Sequence, residues 1–505
     1  MSMLRNEELK SSPLYAVIDL GSNSFHMLIT RQLADSVQVV DKVKRKVRLA
    51  AGLDEQFNLS KRAMARGFEC LSFFAERLQD IPKSNIRIVA TATLRLAQNR
   101  DVFITKANQI LGHEITLLSG EQEAQYIYLG VAHTSCCAAK RLVLDIGGAS
   151  TELIVGSGLK AKKVLSLNMG CVTFNQQFFK DGSLNAHAFD QAIAQAKSLL
   201  APHVQSYCDI GWQTILGGSG TMQALAEVLI FNHQPTLISQ AYLTQFKQQL
   251  IDCQTIANIK IKGLTSERTP VIASGLAILI AIFDSFNIEQ LQLSSGALRE
   301  GLLYEMLPCD AKVNIRQRTI NSLMQRYHVD THHAENIKHL AISLFDSFTN
   351  VWQLEKDNSY QILLASCQLH EIGLLLEFKR HQQHSAYIIE NAELPGFEQD
   401  DRQLLSALVK LYKGDIDINL LNSLAFESQT TYRLLAILRL AVILCRRRKD
   451  DLVPTYKASI ANDEINLCLS GDWLSQHPLI ADELMQENNH LKGLSLQLNT
   501  LCEIW

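Results

Sequence analysis

The chain reads as an α/β protein: two related lobes, then a helical region and a small C-terminal α/β piece. Three observations predict this. A strand–turn–strand unit at Asp19-Leu-Gly-Ser-Asn-Ser24 returns at Asp145-Ile-Gly-Gly-Ala-Ser150, a weak internal repeat. Two further short strands each run into a Gly-containing turn that opens a helix. After about Leu307 these units stop, and from Asn314 to about Arg448 nearly everything carries helical periodicity.

In order, Tyr15–Leu20 and Phe25–Thr30 are β-rich runs flanking the turn Gly21–Ser24. Ala63, Met64, Phe68, Leu71, Phe74, Ala75 and Leu78 fall at helical spacing. Ile86–Ala90 is a strand running into a turn at Thr91–Arg95, and Ser119 is an N-cap for a helix through Glu121 and Glu123 to Val131. The second lobe opens with Arg141–Ile146, the turn Gly147–Thr151 and Glu152–Val155. Thr214–Leu216 leads through Gly217-Gly-Ser-Gly-Thr221 into a helix, and Leu291–Leu293 leads through Ser294–Ala297 into another at Leu298. The expected domains are 14–140, 141–307, 314–450 and 451–505, with a boundary at 308–314 and a hinge near 131–140.

Composition narrows the function. With 505 residues, 48 Lys+Arg against 51 Asp+Glu and a net charge of −3, this is not a basic chain built to coat nucleic acid. At 47% hydrophobic residues it has ample material for several cores. The 11 Cys form no CxxC, and Cys70, Cys367 and Cys445 sit in apolar runs, which suits a reducing cytoplasm. Met1–Ser12 is polar rather than leader-like, and the apolar run Val271–Phe283 is too short to span a bilayer, so no membrane role is expected.

The repeated turns point to phosphate. Backbone N–H groups in a Gly/Ser turn form an anion-binding nest, and glycine lets phosphate oxygens approach without a Cβ. The candidates are Gly21, Ser22, Asn23 and Ser24 in one turn, and Gly147, Gly148, Ser150 and Thr151 in the other, with Gly218 and Ser219 in a third. Asp19 and Asp145, at the strand ends, suit a Mg²⁺ ion held beside phosphates through water. One such turn alone reads equally well as a tight hairpin; three together read as a phosphate cleft.

Several motifs in order carry a resemblance. Asp19–Ser24 and Asp145–Glu152 resemble the two phosphate loops of the actin-like (ribonuclease H-like) ATPase superfamily. With Ala90–Arg95, Ser119–Ala124, Met169–Thr173, Gly217–Thr221 and Gly296–Gly301, they resemble more narrowly the exopolyphosphatase/guanosine pentaphosphate phosphohydrolase family, over the whole chain. Lys42–Gly52, Ala90–Thr93 and Ala149 are closer to its guanosine pentaphosphatase branch. The resemblance implies two actin-like lobes, an HD-like helical region, Mg²⁺, a homodimer and removal of the 5′ terminal phosphate of pppGpp. Terminal phosphate release from polyphosphate, and a non-catalytic sensor of the alarmone, are the alternatives.

Hydrolysis of a phosphoanhydride needs an oriented water, a base and positive charge on the phosphoryl oxygens. The resemblance implies Glu123 as base, with Glu121 beside it on a helix where only one of the two can face the cleft squarely. Glu152, just past the second loop, is a further metal or water ligand, and Arg95 can clamp a phosphate. Lys44, Arg45, Lys46 and Arg48 form a basic run that either meets the outer phosphates or protects an edge strand; Arg268 is a further phosphate candidate. In the helical region, His332-His333, His370-Glu371 and His384 resemble the HD phosphohydrolase pattern, but its His-Asp is His-Glu here and its later Asp is missing, leaving too few donors for a dinuclear site. The resemblance implies an HD-like fold without HD catalysis, these His being structural or lining the substrate cleft. Arg446–Lys449 reads as cations closing a helix C-terminus, locally neutralised by Asp450-Asp451, and no nucleic-acid site is expected.

Overall fold

The computed structural model describes residues 13–33, 36–135, 140–307, 314–449, 455–461 and 463–503. Met1–Ser12, residues 136–139 of the expected hinge with Cys136-Cys137, the boundary residues 308–313 and Asp450-Asp451 lie outside the described residues. The chain divides into two compact units, the first running to Ile315 and the second beginning at Arg316.

The first unit holds two sheets of like design. In the first sheet β1 (Leu14–Leu20) pairs antiparallel with β2 (Ser24–Leu33) and parallel with β4 (Ile86–Ala90), giving the order β3-β2-β1-β4-β5 with β3 (Ser36–Lys46) and β5 (Thr116–Leu117) at the edges. In the second, β6 (Arg141–Ile146) pairs antiparallel with β7 (Thr151–Ser157) and parallel with β9 (Thr214–Gly217), in the order β10-β11-β9-β6-β7-β8. Here β8 is Lys160–Leu167, β10 is Ile238–Ser239 and β11 is Gln290–Leu293. Asp19 of β1 lies opposite His26, and Asp145 of β6 lies opposite Glu152, so each strand delivers its Asp to the same end of its sheet.

Each sheet has its own core. Phe25, Leu71, Phe74 and Phe103 fill the first, under the Lys61–Leu78 helix that Ser60 caps. Phe189, Phe246, Leu276 and Phe283 fill the second. The apolar stretch expected to be too short for a bilayer is in fact long and apolar enough to span one over Thr269–Phe286; it instead contains the core helix Ile272–Phe286, and 72% of that stretch is buried in the protein.

A further cluster joins the two sheets. Val17 and Val89 of one and Val143 and Ile154 of the other pack with Ile127, Val131, Leu298 and Leu302 from the helices Gly120–Thr134 and Leu298–Met306. Those two helices cross with glycine against backbone. A Cβ on Gly301 would lie 1.8 Å from the Tyr126 carbonyl oxygen, and one on Gly130 would lie 2.0 Å from that of Ala297. Both helices start beside the two Gly/Ser turns, the first capped by Ser119, whose side chain and Gln122 form a capping box.

The second unit is a helical body with a three-stranded sheet of order β12-β13-β14 (Tyr456–Ala461, Glu464–Ser470, Gln497–Glu503). Helix residues Leu434 and Leu438 share one core with Ile465 and Leu467 of the sheet. A buried ion pair, Arg439 to Glu487 at 2.6 Å, ties the Ser428–Leu444 helix to the Pro478–Lys492 helix.

Candidate active site

Both Gly-containing loops open on one cleft of about 190 Å³ within the first unit. The first loop is tight because Gly21 has no side chain: a Cβ there would sit 2.9 Å from the Ser24 carbonyl oxygen. It is pinned from behind, the carbonyls of Ser22 and Asn23 accepting from the N–H groups of Ala50 and Arg48 at 2.9 and 2.8 Å. In the second loop the Gly147 N–H donates to the Ser150 carbonyl at 2.8 Å. The two loops meet face to face, since a Cβ on Gly148 would stand 2.7 Å from that of Ser22.

Four carboxylates face this cleft: Asp19, Glu123, Asp145 and Glu152. Burial pushes Asp19 and Asp145 up to about 7; Arg299 opposes this, while the neighbouring carboxylates, Glu123 above all, add to it. Glu152 is pushed well above the ordinary range by burial and then by Glu123 and Asp145, although Ser166 Oγ donates to its Oε1 at 2.8 Å. Oδ1 of Asp19 is buried without a hydrogen-bond partner. An all-oxygen set whose members repel one another, with one oxygen unsatisfied, fits a hard divalent cation.

Glu123 sits apart from the others in one respect. Its Oε2 accepts from Arg95 Nη1 at 2.6 Å, and the same nitrogen donates to the Leu118 carbonyl at 3.0 Å. Burial raises Glu123 nonetheless, with Arg95 opposing. The Ser119 cap sets the phase of this helix so that Glu123 is buried at 7% exposure and Glu121 faces solvent.

The third turn leaves polar groups uncompensated at a helix start. Ser219 is the N-cap residue of the Gly220–Phe231 helix, yet its hydroxyl caps nothing and is buried without a partner. The Arg268 guanidinium lies against Gly220, where a Cβ would come within 1.8 Å of Nη2. A cation beside the positive end of a helix is unfavourable by itself and becomes favourable with an anion between them.

Among the sequence-derived candidates, Asp19, Gly21, Ser22, Asn23, Ser24, Lys44, Glu123, Asp145, Gly147, Gly148, Ser150, Glu152, Gly218, Ser219 and Arg268 line the cleft. Others do not. Glu121 is exposed, two residues around the helix from Glu123. Thr151 is fully buried, its hydroxyl donating to the Met169 carbonyl rather than reaching the cleft. The basic run splits by strand alternation: Lys44 reaches the cleft and pairs with Glu267 at 3.2 Å, while Arg45 lies over the Phe73 ring. Arg48 lies beyond the strand, exposed and outside the lining, with a φ of 51°. Arg95 reaches the cleft only through Glu123, from a short helix, Ala92–Leu96, where the sequence suggested a turn.

Sequence reasoning missed His26, Gln223 and Arg299, all in the lining. Arg299 Nη1 lies 3.2 Å from His26 Nδ1. Burial, then Arg299, Lys44, Arg268 and Lys42, push this imidazole down to about 3, so it is neutral at working pH and accepts from Arg299. The signal for His26 was its place in the strand after the first loop, seven residues from Asp19, which only the antiparallel register brings opposite.

The comparisons with known proteins cover both units. The model of the Ppx/GppA phosphatase family matches residues 28–310, and that of Ppx/GppA phosphatase domain III matches residues 315–488. The guanosine-5′-triphosphate,3′-diphosphate pyrophosphatase of Pseudoalteromonas translucida (strain TAC 125) is 48% identical over 485 residues, 96% of this chain and 98% of that protein. The protein of the same name from Aliivibrio fischeri (strain MJ11) is 49% identical over 479 residues, 94% and 96% of the two chains. The crystal structure of an exopolyphosphatase from Cytophaga hutchinsonii shares the fold at 22% identity and a TM-score of 0.54, covering 59% of this chain and 100% of its own. The expected fold class, two actin-like α/β lobes followed by a helical C-terminal region, therefore holds. By these matches, running through both lobes and the helical unit, the chain belongs to the Ppx/GppA phosphatase family.

Proposed function

We propose that the chain is a phosphoanhydride hydrolase that removes the 5′ terminal phosphate of guanosine pentaphosphate, giving ppGpp and phosphate. The observation that carries this is the buried Glu123–Arg95 pair facing a cleft whose walls are two phosphate-type loops and three further carboxylates. Near-identical length and 48% identity to a relative named for this reaction support the substrate.

Each residue then has a role. The loop amides of Gly21–Ser24 and Gly147–Ser150, with Ser219 and Arg268, hold the phosphate chain. Glu123 orients the attacking water and takes its proton as the water oxygen bonds to the terminal phosphorus and the bridging P–O bond breaks. Arg95 fixes the Glu123 carboxylate in one orientation. Asp19, Asp145 and Glu152 would hold Mg²⁺, through water where they do not ligate directly, and the ion would neutralise charge on the phosphoryl oxygens. We place the enzyme in the cytoplasm, acting as a homodimer on a small polyanion rather than on nucleic acid or a membrane.

The same cleft suits the terminal phosphate of inorganic polyphosphate, and Lys44 on its rim favours a long polyanion. Phosphate release measured with Mg²⁺ on one preparation separates the readings. A larger kcat/KM for pppGpp is expected, abolished by EDTA and restored by Mg²⁺. A larger value for polyphosphate would keep the site and change the substrate, and tight pppGpp binding with no release would make the chain a sensor. Arg268→Met should raise KM roughly tenfold to a hundredfold, the worth of a charge-assisted hydrogen bond, with folding unchanged. An unaltered KM would remove Arg268 from the phosphate site.

A further inference from the structure

We propose that the helical unit holds a single divalent transition-metal ion on His333, His370 and Glu371, a site separate from the phosphate cleft. One donor atom from each of the three lies within 4.8 Å of the others. His333 and His370 are buried at 4% and 1% exposure. Nδ1 of His333 and Nε2 of His370 are buried with no hydrogen-bond partner. Buried ring nitrogens left unsatisfied, on two histidines that each bring a donor atom close to a carboxylate, are costly unless something binds them.

The tautomer at His370 is fixed for ligation. Its Nδ1 lies 2.9 Å from the Cys367 carbonyl oxygen and donates there, which leaves the Nε2 lone pair bare. A metal-bound imidazole is oriented by this same kind of outer hydrogen bond. The donors come from separate elements. His333 is in the first turn of the Thr331–Trp352 helix, His370 caps the C-terminus of Asn358–Leu369, and Glu371 follows at the start of a short 3₁₀ turn. Two imidazoles and a carboxylate suit Zn²⁺, Co²⁺ or Mn²⁺ rather than Mg²⁺, with the remaining position left to water. Three donors serve one ion and are too few for a dinuclear centre.

Arg448 stands guard over this set. Its Nη2 bonds Glu371 Oε1 at 2.5 Å, and its Nη1 is 3.4 Å from Asp330 Oδ2. The guanidinium competes for the carboxylate and repels a cation, and its side chain, 41% exposed, is free to swing into solvent when an ion enters. The basic run read from sequence as a helix terminus thus includes a residue that sets the affinity of the site.

The test uses the full chain, stripped with chelator and then held in excess Mg²⁺ so that all-oxygen sites are filled. Co²⁺ titration followed by visible absorption is expected to show one equivalent bound with ligand-field bands, displaced stoichiometrically by Zn²⁺. Glu371→Gln and His333→Gln should each weaken binding roughly tenfold or more. Arg448→Gln should tighten it roughly tenfold by removing the competing charge. At one fixed Zn²⁺ concentration the Tm of the wild type should rise more than that of Glu371→Gln. If His333→Gln does not fold, the partly exposed positions Glu371 and Arg448 carry the test. Absence of stoichiometric Co²⁺ binding in both the wild type and Arg448→Gln would overturn the proposal, as would binding indifferent to Glu371→Gln.

Discussion

Glu123→Gln is expected to lower kcat by roughly 10²-fold or more, the usual worth of a positioned general base. The amide keeps the volume of the carboxyl and still offers an oxygen to Arg95 Nη1, which also keeps its bond to the Leu118 carbonyl. Folding should survive. Burial raises the Glu123 carboxyl, so ionising it in place works against the folded state, and a neutral amide removes that opposition. A carboxyl moved toward neutral pH is also a better-matched base than an ordinary surface glutamate. The measurement is steady-state phosphate release beside a urea unfolding curve. Near-wild-type turnover from a folded variant would place the base elsewhere, with Glu152 and Asp145 next in line.

Gly301→Ala is expected to destabilise the first unit by about 1–3 kcal/mol or more and to depress turnover with it. In an ordinary helix interior this exchange stabilises, by roughly 0.5–1 kcal/mol, so the sign itself is diagnostic. Here the added Cβ would lie 1.8 Å from the Tyr126 carbonyl oxygen and 2.7 Å from its carbonyl carbon, both backbone atoms that cannot rotate away. The helices must part, and nothing compensates, because Gly130 and Gly296 are in similarly close contact along the same crossing. One of these helices carries Glu123 and the other Arg299, so parting them moves both relative to the loops. Urea midpoint and kcat/KM on the same protein check this. Wild-type stability would mean that the crossing is looser than the contacts indicate.

Much of the cleft lining was legible because it is local. A Gly/Ser turn after a β-rich run, with Asp at the strand end, is written within six residues at Asp19–Ser24 and again at Asp145–Ser150. Helical phase alone says that only one of Glu121 and Glu123 can turn inward; the family resemblance chose Glu123, and the fold is what buries it and leaves Glu121 exposed. What escaped depends on register and distance. His26 joins the site through antiparallel pairing with β1, and Arg299 through a helix far along the chain. Thr151 shows the converse: it has the right residue type in the right loop, but strand alternation turns it inward to Met169.

The His and Arg residues of the helical unit mark the same division. Their sequence pattern shows only that a dinuclear ligand set is incomplete, while packing decides that His333, His370 and Glu371 converge and that Arg448 meets them. By itself the sequence determined the two repeated lobes, the family and the loop residues, because each rests on contiguous motifs and on side-chain periods of about two and 3.6 residues. Only the tertiary structure decided which basic residues reach the cleft, which carboxylates repel one another there, and how closely two glycine-lined helices approach. Those depend on the distance between groups far apart in the chain, and Coulomb interaction, desolvation and van der Waals contact are all set by that distance.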